Sequence, residues 1–209
     1  MFNFQHLYLF FIASLLLNLT PGNDMIYVAS RSISQGVKCG IVSAMGIFTG
    51  CFVHILAAVF GLSIIISRSA YLFSIIKFAG AGYLIYLGIR AIINKPNVKT
   101  DETVQKTNNW KLFKQGVVTN ALNPKVAIFF LSFLPQFIDA GSPVFKWQLL
   151  MLGIWFAAQG TSVLIIVALI LGRTKDFFRN NPKVWLVQEK ITGFVLIGLG
   201  IKVALLSKK

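Results

Sequence analysis

Six stretches of this chain are apolar for about twenty residues at a time, and that one feature leaves few folds open to it. They lie at about 6–29, 41–66, 71–93, 113–138, 146–172 and 187–206. A bilayer core is crossed by about 20 apolar residues in helical form, because backbone groups in lipid must find their hydrogen bonds within the segment. A water-soluble alternative fails on composition: of 209 residues, 56% are hydrophobic and 12% charged, too few polar side chains to cover a globular surface. The expected fold is an all-α integral membrane protein of about six transmembrane helices.

The formal charge of +14 does not point to a nucleic-acid partner, because the bases do not gather on one water-facing patch. They fill the polar gaps between apolar runs. The gaps after runs one, three and five hold Arg31 and Lys38, then Arg90, Lys95, Lys99, Lys106, Lys111 and Lys114, then Arg173, Lys175, Arg179 and Lys183. The opposite side holds Arg68, Lys146 and the terminal Lys208 and Lys209. Positive charge stays on the cytoplasmic side, so both termini are expected outside the cytoplasm and the loop at about 94–112 inside. Residues Met1 to His6 carry no Lys or Arg and no small-residue cleavage site follows, so the first run reads as a retained helix rather than a signal peptide. Cys39 and Cys51 are twelve residues apart on one expected helix, roughly 18 Å, and cannot bridge.

The long polar gap divides the chain into two halves, about 1–93 and about 113–209, within one transmembrane domain. Leu87, Gly88, Ile89 and Arg90 end run three as Leu199, Gly200, Ile201 and Lys202 end run six, and Pro21 interrupts run one as Pro124 interrupts run four. Three helices is an odd number, so a repeated second unit enters the membrane upside-down, as in the inverted repeats of secondary transporters. Chance likeness among Leu, Gly and Ile is the plainer alternative.

The residues that are costly in lipid sit at those interruptions. Run one breaks at Thr20, Pro21, Gly22, Asn23 and Asp24 and then resumes. Pro21 removes a backbone donor, so groups near it lose their intrahelical partners, and Asp24 costs about 3 kcal/mol on insertion scales unless it meets a cavity or a partner. Run four repeats the device with Asn120, Asn123, Pro124 and Lys125. A proline kink used for packing, with Asp24 and Lys125 snorkelling or pairing as glue, would account for these residues one by one. One such break in each half, each with amide side chains and an ionisable group, points to a substrate or ion site. Freed amides suit a carboxylate and freed carbonyls beside an acid suit an ammonium, so an amino-acid zwitterion fits, and an inorganic ion would satisfy some of the same groups.

His54, mid-run in the second segment, is either a proton relay or a hydrogen-bonded structural histidine. Gly46 and Gly50 form a small-xxx-small pair that lets two backbones approach. The chain has no HExxH, no GxSxG and no paired acids, and two histidines are too few for a metal site, so neither an enzyme, a bound metal nor any other cofactor is expected. A membrane scaffold or sensor is the remaining class. A homo-oligomer is compatible with the sequence.

The segments TPGNDMIYVASRSISQGVKCGIVSAMGIFTG (Thr20–Gly50), KFAGAGYLIYLGIRAI (Lys77–Ile92) and NALNPKVAIFFLSFLPQF (Asn120–Phe137) resemble the lysine exporter and homoserine/threonine exporter family, the LysE/RhtB group. The resemblance covers nearly the whole chain. It implies a multi-pass protein of the bacterial inner membrane that expels amino acids or related small molecules, driven by the proton gradient. The family's TPGP-type turn falls on Thr20, Pro21, Gly22 and Asn23, with its acidic position on Asp24, and its NPK turn on Asn123, Pro124 and Lys125. Asn23 stands where the family commonly has a second proline, which leaves the substrate class open.

Overall fold

The computed structural model describes residues 4–62, 70–93, 108–138, 142–174 and 182–205. Most of the loop expected at about 94–112 lies outside them, as do Arg68, Lys175, Arg179, Lys208 and Lys209, so the charge pattern that orients the chain is only partly in view. Every described element is helical: α1 Phe4–Leu19, α2 Asn23–Gln35, α3 Val37–Ala57, α4 Ala70–Ile93, α5 Asn109–Ala121, α6 Pro124–Ile128, α7 Phe145–Arg173 and α8 Pro182–Leu205. A π-helical turn at Ala58–Leu62 prolongs α3, and α6 runs on through a π turn at Phe129–Phe133 and a 3-10 turn at Leu134–Phe137.

Local chemistry explains where these elements begin and end. The first expected run divides into α1 and α2 at Thr20–Gly22, and α2 continues to Gln35, past the expected end near 29. Gly36, at φ 91°, then turns the chain into α3 within one residue, a backbone region that costs glycine nothing and other residues a steric clash. α5 starts before the expected 113 because Asn108 caps it, its side chain accepting from the Trp110 amide at 3.1 Å. The fourth run divides at Leu122–Asn123, where α5 and the α6 segment bend by 44°.

Among the described residues two helices, Val37–Gly61 and Phe145–Arg173, are long and apolar enough to cross a bilayer singly, and the bent pair of α5 with Pro124–Phe137 is so only when its two parts are taken together, as a broken span or a re-entrant loop. The distribution of side chains is that of a protein dissolved in lipid. Phe11, Leu15 and Leu19 on α1, Val53, Leu56 and Phe60 along α3, and Ile166 and Ile170 on α7 are exposed, whereas Ser14, Thr20, Ser43, His54, Asn120 and Asn123 are buried. A water-soluble protein seldom exposes so continuous an apolar surface. The chain is an all-α membrane protein.

Two seams position the interior. Between α3 and α5 the backbones touch: a methyl group on Gly46 would sit 2.2 Å from the Phe113 carbonyl oxygen, and one on Gly116 2.6 Å from that of Ser43. Gly46 and Gly50 thus serve the close approach expected of them, Gly50 facing the Val117 carbonyl. Between α4 and α8, Gly88 and Gly193 meet in the same way. The two ends of the sequence halves are therefore in contact. An aromatic cluster of Phe10, Phe129, Phe130, Phe133, Phe137 and Phe156 fills the centre on one side of the breaks, with Phe129 stacked on Phe156 at 4.6 Å between centroids.

Candidate transport site

A helix broken by proline leaves a carbonyl without its donor four residues back, and that defect builds this site. Pro21 cannot donate to the Leu17 oxygen. In its place the Lys125 ammonium reaches across from the other break and donates to Leu17 O at 3.1 Å, to Thr20 O at 2.9 Å and to Thr20 Oγ1 at 3.2 Å. Thr20 Oγ1 also donates to Leu17 O at 2.5 Å. Gly22 supplies the room: its φ of −156° is open to any residue, but a methyl group there would lie 3.2 Å from Lys125 Nζ.

The second break answers in kind. Pro124 cannot donate to the Asn120 oxygen, and His54 Nε2 lies 2.8 Å from that oxygen on the far side of the α3–α5 seam. Because a carbonyl only accepts, Nε2 carries the proton in this contact. Each break thus has the carbonyl its proline cannot serve met by a basic side chain from another element, beside one local amide: Thr20 N donates to Leu17 O at 3.1 Å and Asn123 N to Asn120 O at 2.8 Å. Asn123 closes the defect locally, its Oδ1 capping α6 by accepting from the Lys125 amide at 3.0 Å.

Between the breaks lies Asp24, in the first turn of α2. Its Oδ2 accepts from Asn120 Nδ2 at 2.8 Å, and Lys125, Asn123 and His54 are its other polar neighbours. Asp24 and Lys125 share a cavity without a hydrogen bond: the lysine spends its donors on the carbonyls of α1 and the aspartate its acceptor on Asn120. Three buried polar atoms at this place lack a hydrogen bond of ordinary distance and angle, Asp24 Oδ1, Asn120 Oδ1 and Asn123 Nδ2, with the Asn123 amide beside the Asp24 carboxylate. Two are acceptors and one is a donor, so a group offering both kinds of hydrogen bond would satisfy them.

The cavity is lined by Thr20, Asp24, Asn120 and Lys125 on its polar side and by Ile47, Phe48, Phe156 and Leu164 on its apolar side. It gives about 30 Å³ to the centres of water molecules. One water needs roughly 10–15 Å³ by that measure, so the space suits two waters and is too tight for an amino acid without movement.

Of the residues expected from the sequence, Thr20, Asp24, Asn120 and Lys125 face one cavity, Gly22 and Asn123 support them, and Pro21 and Pro124 act through the donors they lack. Asn23 is exposed at the start of α2, and His54 stands behind Asn120 rather than in the lining. Sequence reasoning missed Asn18, whose Nδ2 donates to Phe156 O and to Gln159 Oε1, both at 3.3 Å, and missed the α7 wall of Phe156, Gly160 and Thr161. An amide inside an apolar run, and Gln159, Gly160 and Thr161 together in another, were signals available to find them.

Comparison with known proteins decides the family. The model of the LysE type translocator family matches residues 15–207. The chain belongs to that family. It is 32% identical over 197 residues to the homoserine/homoserine lactone efflux protein of Salmonella typhimurium, covering 93% of this chain and 95% of that one. It is 31% identical over 194 residues to the uncharacterized membrane protein YrhP of Bacillus subtilis, covering 88% and 91%. No solved structure matches. As a member of the LysE type translocators the chain is a multi-pass membrane transporter and not an enzyme.

Proposed function

We propose that this translocator exports amino acids or close derivatives from the cytoplasm of a bacterium, across the inner membrane, by alternating access around the cavity between its two broken helices. The observation that carries the reading is the meeting of Asp24 from one break with Asn120, Asn123 and Lys125 from the other. An α-ammonium group matches the unpartnered oxygens of Asp24 and Asn120, and an α-carboxylate matches Asn123 Nδ2 and the Lys125 ammonium. The relatives named as homoserine/homoserine lactone efflux proteins support an amino-acid-like cargo.

In this reading the structure corresponds to a closed state. Substrate entry requires Lys125 to leave the Leu17 and Thr20 carbonyls and Asp24 to leave Asn120, so binding and opening are one event. The two halves act as inverted three-helix repeats, six spans in all, with repeat one at about 1–93 and repeat two at about 113–209. The contacts of α3 with α7 and of α4 with α8, each an element of one half against its counterpart, support that symmetry. The termini lie outside and the long loop inside, following the basic residues. Export is proton-coupled: Asp24 holds the proton on one leg of the cycle and the substrate ammonium on the other, with His54, one residue away through Asn120, as the relay.

A carrier of inorganic cations is the competing reading. Among the described residues no three or more His, Cys, Asp or Glu side chains gather to hold a metal ion, so Asp24 and backbone carbonyls would have to coordinate it unaided. Counterflow in proteoliposomes separates the two readings. Vesicles preloaded with single unlabelled amino acids, homoserine and threonine among them, should take up tracer of the same compound faster than protein-free vesicles. Folded protein that accelerates none of them, or accelerates only a metal ion, overturns the proposal.

A further inference from the structure

About two helical turns from Asp24, α2 and α5 part to form a groove that the transport reading does not use. It is lined by Tyr27, Arg31, Lys111, Lys114, Gln115 and Val118, with Thr119 at its end, and among the described residues no carboxylate lines it. Two of the three cations, Arg31 and Lys114, are held in place by neighbouring side chains. Arg31 donates to Gln115 Oε1 at 3.2 Å with its guanidinium 5.5 Å from the centre of the Tyr27 ring. Tyr27 in turn donates to the Leu112 carbonyl at 2.7 Å. Lys114 lies 5.1 Å from the centre of the Trp110 ring, and that ring stacks on Phe113.

Three like charges around one groove, Arg31 and Lys114 held by their neighbours and Lys111 exposed beside them, repel one another, and a multivalent oxyanion relieves them. The surface next to the groove states what carries it. Along the outer face of α5 the exposed residues pass from Trp110, Lys111 and Lys114 to Val118 and Leu122, the last 76% exposed. At about 1.5 Å per residue, the apolar pair begins roughly 6 Å below the lysines. That is the layout of a bilayer boundary, with bases and a tryptophan at headgroup depth and aliphatic side chains at acyl depth.

We infer that this groove binds the phosphate of an anionic phospholipid, whose acyl chain lies along Val118 and Leu122. The anion bridges Arg31 of α2 to Lys111 and Lys114 of α5. These are the same two helices that the Asp24–Asn120 hydrogen bond joins at their other end, so the lipid holds the cavity in its closed arrangement. The inference rests on the membrane placement of α5 and not on the identity of the cargo.

The test is thermal unfolding of the purified chain in mixed micelles of neutral detergent with phosphatidylglycerol, phosphatidylcholine, or glycerol phosphate at matched concentration. Phosphatidylglycerol should raise the melting temperature in a saturable way. Near a membrane surface each base contributes about fivefold in affinity, so the preference over phosphatidylcholine should be about a hundredfold. Arg31→Gln and Lys114→Gln should each lower that preference about fivefold while melting as the wild type does without lipid, which shows that the variants fold. Equal stabilisation by the two lipids, an equal effect of free glycerol phosphate, or variants that keep the full preference would each overturn the inference. Transport assays in neutral lipid are not needed for the outcome, so its failure is separable from failure of the proposed cargo.

Discussion

The substitution Gly46→Ala adds one methyl group and should do disproportionate harm. That methyl would stand 2.2 Å from the Phe113 carbonyl oxygen and 3.0 Å from its carbon, both backbone atoms that no rotamer change can move. Carbon and oxygen sit comfortably at about 3.3 Å, so α3 and α5 must part by about 1 Å locally. The His54 to Asn120 hydrogen bond crosses the same seam at 2.8 Å. Stretched by that amount it passes the roughly 3.6 Å at which a hydrogen bond no longer counts as one. Overpacking costs about 1–3 kcal/mol and loss of a buried hydrogen bond about 1 kcal/mol more, for a total of about 2–4 kcal/mol. For a chain of this size each kcal/mol moves the melting temperature by about 2–4 °C, so a drop of about 5–15 °C is expected in detergent. Gly82, on α4, is the control, because nothing lies within 4 Å of a methyl group added there. Gly82→Ala removes a helix-interior glycine and should leave the melting temperature unchanged or slightly raised. If the two alanine variants melt alike, the α3–α5 contact does not set the geometry of the site.

Asp24→Asn keeps the shape and removes the charge, so the folded, inserted variant should lose gradient-driven export; undiminished export would free Asp24 of any part in coupling. The exchange Asp24→Lys with Lys125→Asp should not rescue either single variant, because the two side chains bond to different partners; restored folding would reveal a direct contact that this state does not use. A proton path through His54 requires His54→Gln to lose export driven by a pH gradient while counterflow persists, and wild-type export by that variant removes His54 from the path.

The sequence carried the breaks but not what closes them. Pro21 and Pro124 inside apolar runs say that two carbonyls, four residues back, lose their donors, and that much follows from covalent structure alone. Which groups replace those donors depends on how the halves pack, and no local pattern announces that Lys125 meets Leu17 O or that His54 meets Asn120 O. A lysine and an aspartate in lipid suggest each other as partners, since pairing is the obvious relief for two buried charges. The structure relieves them separately, and the difference has consequences. A direct ion pair would leave substrate to compete with a strong mutual attraction for both of its own charged ends. Here each charge is held by neutral groups, Lys125 by carbonyls and Asp24 by an amide, and an amino acid can replace those neutral partners with opposite charges. The α7 wall was only partly marked: Gln159, Gly160 and Thr161 stand out, but Phe156 lies in a long helix apolar enough to cross the membrane alone, where the outline of a cavity leaves no period to read. Under the proposed function the two breaks supply the zwitterion's ends and α7 shapes the space for its side chain, and on that reading motif residues alone do not choose among amino acids.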